Sequence, residues 1–178
     1  FAERMDVRFG WQVDPGEVEV LSEVVQGLYF ALGAFSNPGE GAVIQTPIYP
    51  PFLEGVAETG RRLVENRLIP KAGGWEIDFE SLAASVDADT RLFLLCNPHN
   101  PSGRVLERAE LERLAEVILD QNLLVIADEI HADLIFDGRT HIPFASLAPE
   151  VAARTITLNS ASKSFNIPGL RCSVIHFG

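Results

Sequence analysis

Between residues 22 and 35 the apolar positions Val24, Val25, Leu28, Leu32 and Phe35 recur at the spacing of one helix face, and Asn37-Pro38-Gly39 ends the run. A helix is predicted there. The rhythm then changes: residues 42–45 read as a short strand, Pro47, Pro50 and Pro51 break the backbone, residues 52–59 form a brief helix, and residues 62–68 return as a strand. Gly73-Gly74 marks a turn, and Asp78 caps a helix to Ser85. Leu92-Phe93-Leu94-Leu95-Cys96 is apolar without alternation, the pattern of a strand covered on both faces. Residues 107–120 are the clearest helix, with Leu111, Leu114, Ala115, Ile118 and Leu119 on one face, and residues 123–127 and 155–158 are further buried strands.

Strands alternating with helices predict an α/β fold, a mainly parallel sheet with helices on both faces and right-handed crossovers. No internal repeat, linker or low-complexity tract interrupts the pattern. Phe1 falls inside a helix-like stretch, and the strand-like residues 172–177 stop at Gly178 with no closing element. The expectation is a piece of a larger protein, incomplete at both ends.

In a sheet of this kind ligands sit beyond the carboxyl ends of the strands. Three polar motifs stand there. After Cys96 comes Asn97-Pro98-His99-Asn100-Pro101-Ser102-Gly103, a loop that aims Asn100 at a ligand or is a tight turn whose asparagines bond their own backbone. After Ala127 comes Asp128-Glu129-Ile130-His131, which sets Asp128 to pair with a cationic heterocycle, or to act as a cap or salt-bridge partner, with His131 one helical turn further on. After Leu158 comes Ser160-Ala161-Ser162-Lys163-Ser164-Phe165, followed by Arg171. A lysine amine among small residues at a strand end is placed to become a nucleophile if its surroundings lower its pKa. Arg171 offers a planar fork to phosphate oxygens and Ser160 a hydroxyl.

Composition narrows the class. With 178 residues, 47% of them hydrophobic, the chain can bury a sizeable core. Its 14 basic against 25 acidic residues argue against a nucleic-acid groove or an anionic membrane surface. No apolar run approaches the ~20 residues that span a bilayer, and no basic-then-apolar leader is present. Cys96 and Cys172 lack a spacing suited to zinc, so no metal site is predicted, and they read as two buried free thiols in a reducing cytoplasm. A small-molecule substrate is the expectation. Trp11 lies in Phe9-Gly10-Trp11, where a core position is the plainer reading than a pocket wall.

Taken together, the three motifs resemble those of the aspartate-aminotransferase-like, fold-type I pyridoxal-phosphate enzymes of the class I/II aminotransferase superfamily. The resemblance covers nearly the whole chain. Gln45-Thr46-Pro47-Ile48-Tyr49-Pro50-Pro51-Phe52 and the Asp128-Glu129-Ile130-His131-Ala132-Asp133-Leu134 run are most similar to the cystathionine β-lyase, or carbon–sulfur lyase, branch. The resemblance implies that residues 1–178 are most of the large domain that binds pyridoxal 5'-phosphate, with an N-terminal segment and a C-terminal small domain outside the chain. It implies that Lys163 carries the internal aldimine, Asp128 pairs with the pyridinium nitrogen, Asn100 bonds the ring hydroxyl and Tyr49 stacks on the ring. His131 stands where many of the family's transaminases have a tyrosine. The phosphate is expected at Ser160, Arg171 and the backbone of Val24 and Val25, at a helix N-terminus whose free amides suit an anion.

One residue departs from the pattern: many relatives carry a glycine where this chain has Glu23, and the expectation is that Glu23 points to solvent, since a carboxylate beside a phosphate repels it. The implied reaction is cleavage of cystathionine or a related cysteine S-conjugate to a thiol, pyruvate and ammonia, by a cytoplasmic homodimer with sites at the subunit interface. An aminotransferase of the same fold is the alternative, and a regulatory protein that keeps the cofactor pocket is an alternative of another class. The arginine for the substrate carboxylate falls outside these residues.

Overall fold

The computed structural model describes residues 1–136 and 138–178. It begins with α1 (Ala2–Phe9), β1 (Val18–Leu21), α2 (Val24–Phe35), β2 (Gly41–Thr46), α3 (Pro50–Glu58) and β3 (Arg62–Arg67). A small hairpin of β4 (Ile69–Lys71) and β5 (Gly74–Glu76) leads to α4 (Phe79–Ser85), β6 (Thr90–Cys96), α5 (Arg108–Asp120) and β7 (Leu124–Asp128). The chain closes with α6 (Pro149–Ala152), β8 (Thr155–Asn159), α7 (Ala161–Ser164) and β9 (Ser173–Phe177).

Seven strands form one sheet in the order β1-β9-β8-β7-β6-β2-β3. Pairings from β3 through β2, β6 and β7 to β8 are parallel, whereas β9 is antiparallel to both β8 and β1. The fold is the expected α/β sheet, with an antiparallel margin that periodicity does not reveal. The expected cover on both faces is explicit in β6: Leu92, Leu94 and Cys96 join a core beneath α2 and α3, while Phe93 and Leu95 join a second core beneath α4 and α5. Both cores are filled by buried apolar side chains, so the sheet is a rigid platform for whatever its strand ends carry.

Local signals explain the helices. Asp78 accepts from Ser81 N at 2.9 Å as the cap of α4, and Glu107 and Glu110 form a reciprocal capping box on α5. Helix α2 begins at Val24, the first residue of its apolar run and two residues after the start of the predicted span, because Ser22 and Glu23 are not helical and Glu23 is its N-cap at φ −153, ψ 153. Close packing sets its position: a Cβ on Gly27 would stand 2.7 Å from a Leu158 methyl and 2.9 Å from one of Leu21, so only glycine lets α2 lie against β8 and β1.

Trp11 is buried, edge-on to His176 with ring centroids 5.0 Å apart, in accord with the core reading. Cys172 corrects one expectation. Both cysteines are free, but only Cys96 is buried; Cys172 precedes β9, where the chain emerges onto an open rim, and is exposed. Among the described residues no helix is long and apolar enough to cross a membrane.

Candidate active site

Strands β6, β7 and β8 are adjacent and parallel, so the three motifs that follow them meet side by side. A cavity of about 310 Å³ opens there. Asn100, Asp128, His131, Ser160, Lys163 and Arg171 line it, as do Val24 and Val25 from the start of α2 and Tyr49 from the start of α3. Every candidate named from the sequence thus borders one space. Its volume falls within the range of small-ligand pockets.

Asp128 ends β7 and is 8% exposed. Its Oδ1 accepts from Ile130 N at 3.0 Å, and among the described residues it has no ion pair. Burial drives its pKa up to about 7, reinforced by Glu129 and opposed by the Ile130 amide and the Lys163 ammonium. A buried carboxyl held this way is poised for a cation brought by a ligand. The Lys163 side chain, in the single turn of α7, makes no hydrogen bond or ion pair among the described residues, and it is close enough to influence both Asp128 and His131. His131 is pushed below the ordinary histidine pKa by burial first and by Lys163 second, which favours a neutral imidazole. It lies in a series of turns, Ala132 N to Glu129 O at 2.9 Å and Leu134 N to His131 O at 2.8 Å, and not one turn along a helix as expected.

The loop after β6 separates its two asparagines. Asn97 Oδ1 accepts from Leu106 N at 3.0 Å in a buried structural bond. Asn100 is tied down only through its backbone: its amide points to Cys96 Sγ at 3.5 Å and its carbonyl accepts from Tyr49 N at 3.1 Å. Its side-chain amide is therefore available to a ligand, and the same backbone bond draws Tyr49 to the cavity, where Pro50 and Pro51 start α3 behind it. Cys96 lies beneath, its thiol pKa raised by burial and by the charge of Asp128.

Two residues at the other end make contacts that the sequence did not show. The Ser160 hydroxyl accepts from Ser162 N at 3.0 Å and donates to Cys172 O at 2.8 Å, so it caps α7 and ties that turn to the approach of β9. Its one proton is engaged within the protein, and a bond to phosphate requires the hydroxyl to rotate. Glu23 is exposed as expected, its side chain 52% open to solvent, and its Oε1 also lies 3.0 Å from Arg171 Nη2 at the border of the cavity. Arg171 itself sits in the left-handed region at φ 48.

The motifs also conceal a support that sequence reasoning missed. Ser164 Oγ donates to Asp133 Oδ2 at 2.8 Å, and Asp133 Oδ1 receives Arg4 Nη2 at 2.6 Å. Helix α1 and the turn that carries Lys163 are joined through this carboxylate. Its pKa is lowered by these donors against an opposing effect of burial. Only the Asp133-to-Ser164 separation of 31 residues hid it.

The model of the family described as aminotransferase class I and II matches residues 4–176. The chain belongs to that family. Within this aminotransferase family it is 44% identical over 172 residues to the cystathionine beta-lyase PatB of Bacillus subtilis, covering 96% of this chain and 44% of that protein. It is 38% identical over 170 residues to the arginine–pyruvate transaminase AruH of Pseudomonas aeruginosa, covering 96% of this chain and 42% of AruH. Among solved structures, cystalysin from Treponema denticola, which contains pyridoxal 5'-phosphate, superposes with a TM-score of 0.96 at 36% identity, over 99% of this chain and 45% of cystalysin. The chain thus spans less than half the length of these relatives.

Proposed function

We propose that the chain forms most of the large domain of a pyridoxal 5'-phosphate-dependent carbon–sulfur β-lyase that cleaves cystathionine or a related cysteine S-conjugate, with a small domain supplied by further segments. The observation that carries this reading is Asp128, a buried carboxyl without a protein cation bonded to it, raised to about pKa 7 and sharing one cavity with Lys163. A protonated ring nitrogen is the complement such a group needs. The free amides at the start of α2, with Arg171, fit a phosphate at the opposite end of the cavity.

When bound, pyridoxal phosphate supplies an electron sink that allows the Cα–H bond of an amino acid to break. Lys163 Nζ would be the amine that holds the cofactor and, when free, would take the Cα proton as general base. Asp128 would keep a proton on the ring nitrogen. The Asn100 amide would hold the ring oxygen and Tyr49 would cover the ring face, with His131, its pKa lowered, lining the same cavity. With sulfur at Cβ, the C–S bond would break, the sulfur would take up a proton and leave as a thiol, and one water would hydrolyse the remaining three-carbon unit to pyruvate and ammonia. Similarity to PatB supports the lyase reading over simple amino transfer.

The reading extends to a homodimer with sites at the subunit interface, and to the cytoplasm, which suits two free cysteines. The test is to supply the whole protein with pyridoxal phosphate and L-cystathionine, and to measure pyruvate and thiol alongside amino transfer to 2-oxoglutarate. Transfer without pyruvate overturns the lyase assignment and establishes the aminotransferase reading, which the likeness to AruH favours.

A further inference from the structure

Apart from Lys163, the positive features of the cavity are Arg171 and the N-terminus of α2, and Glu23 stands between them. Glu23 is the N-cap of a 12-residue helix, yet its side chain caps no amide. Gln26 closes the helix start instead, its Oε1 accepting from Ser22 N at 3.1 Å. The Glu23 carboxylate is thus not required to finish the helix, and it reaches Arg171 Nη2 at 3.0 Å. Both residues border the cavity with Val24, Val25 and Lys163. The Arg171 and Glu23 side chains are 73% and 52% exposed, so screened attraction joins them and the pair can open readily.

We propose that Glu23 is a built-in anionic competitor at the phosphate end of the cavity, pairing with Arg171 when no phosphate is bound and releasing the guanidinium when one arrives. The proposal rests on the reading of the cavity as a pyridoxal-phosphate site. A phosphate that must displace a carboxylate from its arginine, and then remain beside that carboxylate, binds less tightly than at the same site without the charge. The cofactor is accordingly held loosely at its phosphate and exchanges faster.

The cofactor-free whole protein is titrated calorimetrically with inorganic phosphate, and separately with pyridoxal phosphate followed by visible absorbance. Wild type is compared with Glu23→Gln and Glu23→Ala, each also in an Arg171→Ala background. Both Glu23 substitutions should tighten binding of both ligands about tenfold, the effect of one screened charge a few ångströms away. The gain should fade between about 0.05 M and 1 M salt, and shrink severalfold without Arg171. Unchanged or weaker phosphate binding in both substitutions overturns the proposal, as does a gain of the same size with and without Arg171, or a wild type and variants that all fail to bind phosphate. A protein that shows the phosphate gain yet develops no visible absorbance with pyridoxal phosphate keeps the competitor and sinks the cofactor assignment, so the two failures are distinct.

Discussion

Asp128 and Glu129 are neighbours in sequence and both are buried, yet they serve opposite regions of the molecule. Glu129 turns into the protein, where its Oε1 accepts from Phe144 N at 2.8 Å and its Oε2 meets His141 Nε2 at 3.0 Å. Asp128 turns its carboxyl to the cavity, with a single hydrogen bond to it among the described residues, from Ile130 N. The first carboxyl is satisfied by the fold and holds the segment after β7 in place. The second is left under-satisfied by the fold. A protein tolerates a poorly satisfied buried acid where a ligand completes it, and this contrast between two adjacent acids marks the cavity side.

The sharpest break of that contrast is on the cavity side. Lys163→Ala should lower lyase turnover on the order of 10⁴-fold and remove the visible absorbance of the bound cofactor, with little change in melting temperature, since the Lys163 side chain makes no hydrogen bond or ion pair among the described residues. Persistence of that absorbance would end its assignment as the attachment point. Asp128→Asn should cost about 10²- to 10³-fold in kcat, as the loss of one aimed electrostatic partner does.

The same substitution should stabilise the cofactor-free protein at neutral pH. The folded pKa of Asp128 lies at about 7, above the ordinary carboxyl value, so the folded state binds more protons than the unfolded one between about pH 4 and 7. Wild-type stability therefore falls as pH rises through that window, by up to about 4 kcal/mol, and Asp128→Asn should flatten the slope. Chemical denaturation of the cofactor-free form at a series of pH values measures it; an unaltered slope refutes the raised pKa.

On the protein side, Glu129→Ala leaves the Phe144 amide and His141 without their acceptor and should destabilise by about 3 kcal/mol while the cofactor still binds. The two asparagines give the smallest version of the comparison. Asn97→Ala should cost about 1 to 2 kcal/mol of stability through the lost bond to Leu106 N. Asn100→Ala should leave stability within about 0.5 kcal/mol and instead shift the cofactor's visible spectrum. Equal melting curves for the two variants would erase the distinction.

Much of the architecture is legible in the chain because it follows from periodicity. Two-face burial of β6 requires an unbroken apolar run, and α5 requires its leucines at i, i+3 and i+4, so neither depends on distant residues. The chemistry of the strand-end motifs is legible for a similar reason: each is contiguous, and the α/β rule places loops after parallel strands on one edge. What was not legible depends on contacts across long separations. The weakly patterned β1 acquires its identity only by pairing with β9, and the β4–β5 hairpin showed only its turn. Cys172 read as buried because its neighbours are apolar, but burial depends on what covers a residue.

Residue types and their order along the chain thus specify a mainly parallel α/β sheet and the set of groups at its edge, since hydrophobic period and turn chemistry are local properties. Tertiary structure alone decides how those groups are divided. It engages Asn97 and Glu129 in structural bonds, leaves Asn100 and Asp128 facing the cavity, commits the Ser160 hydroxyl to Cys172, and sets Glu23 against Arg171. A polar side chain's role depends on which partners reach it first, and those partners come from strands and turns far away in sequence.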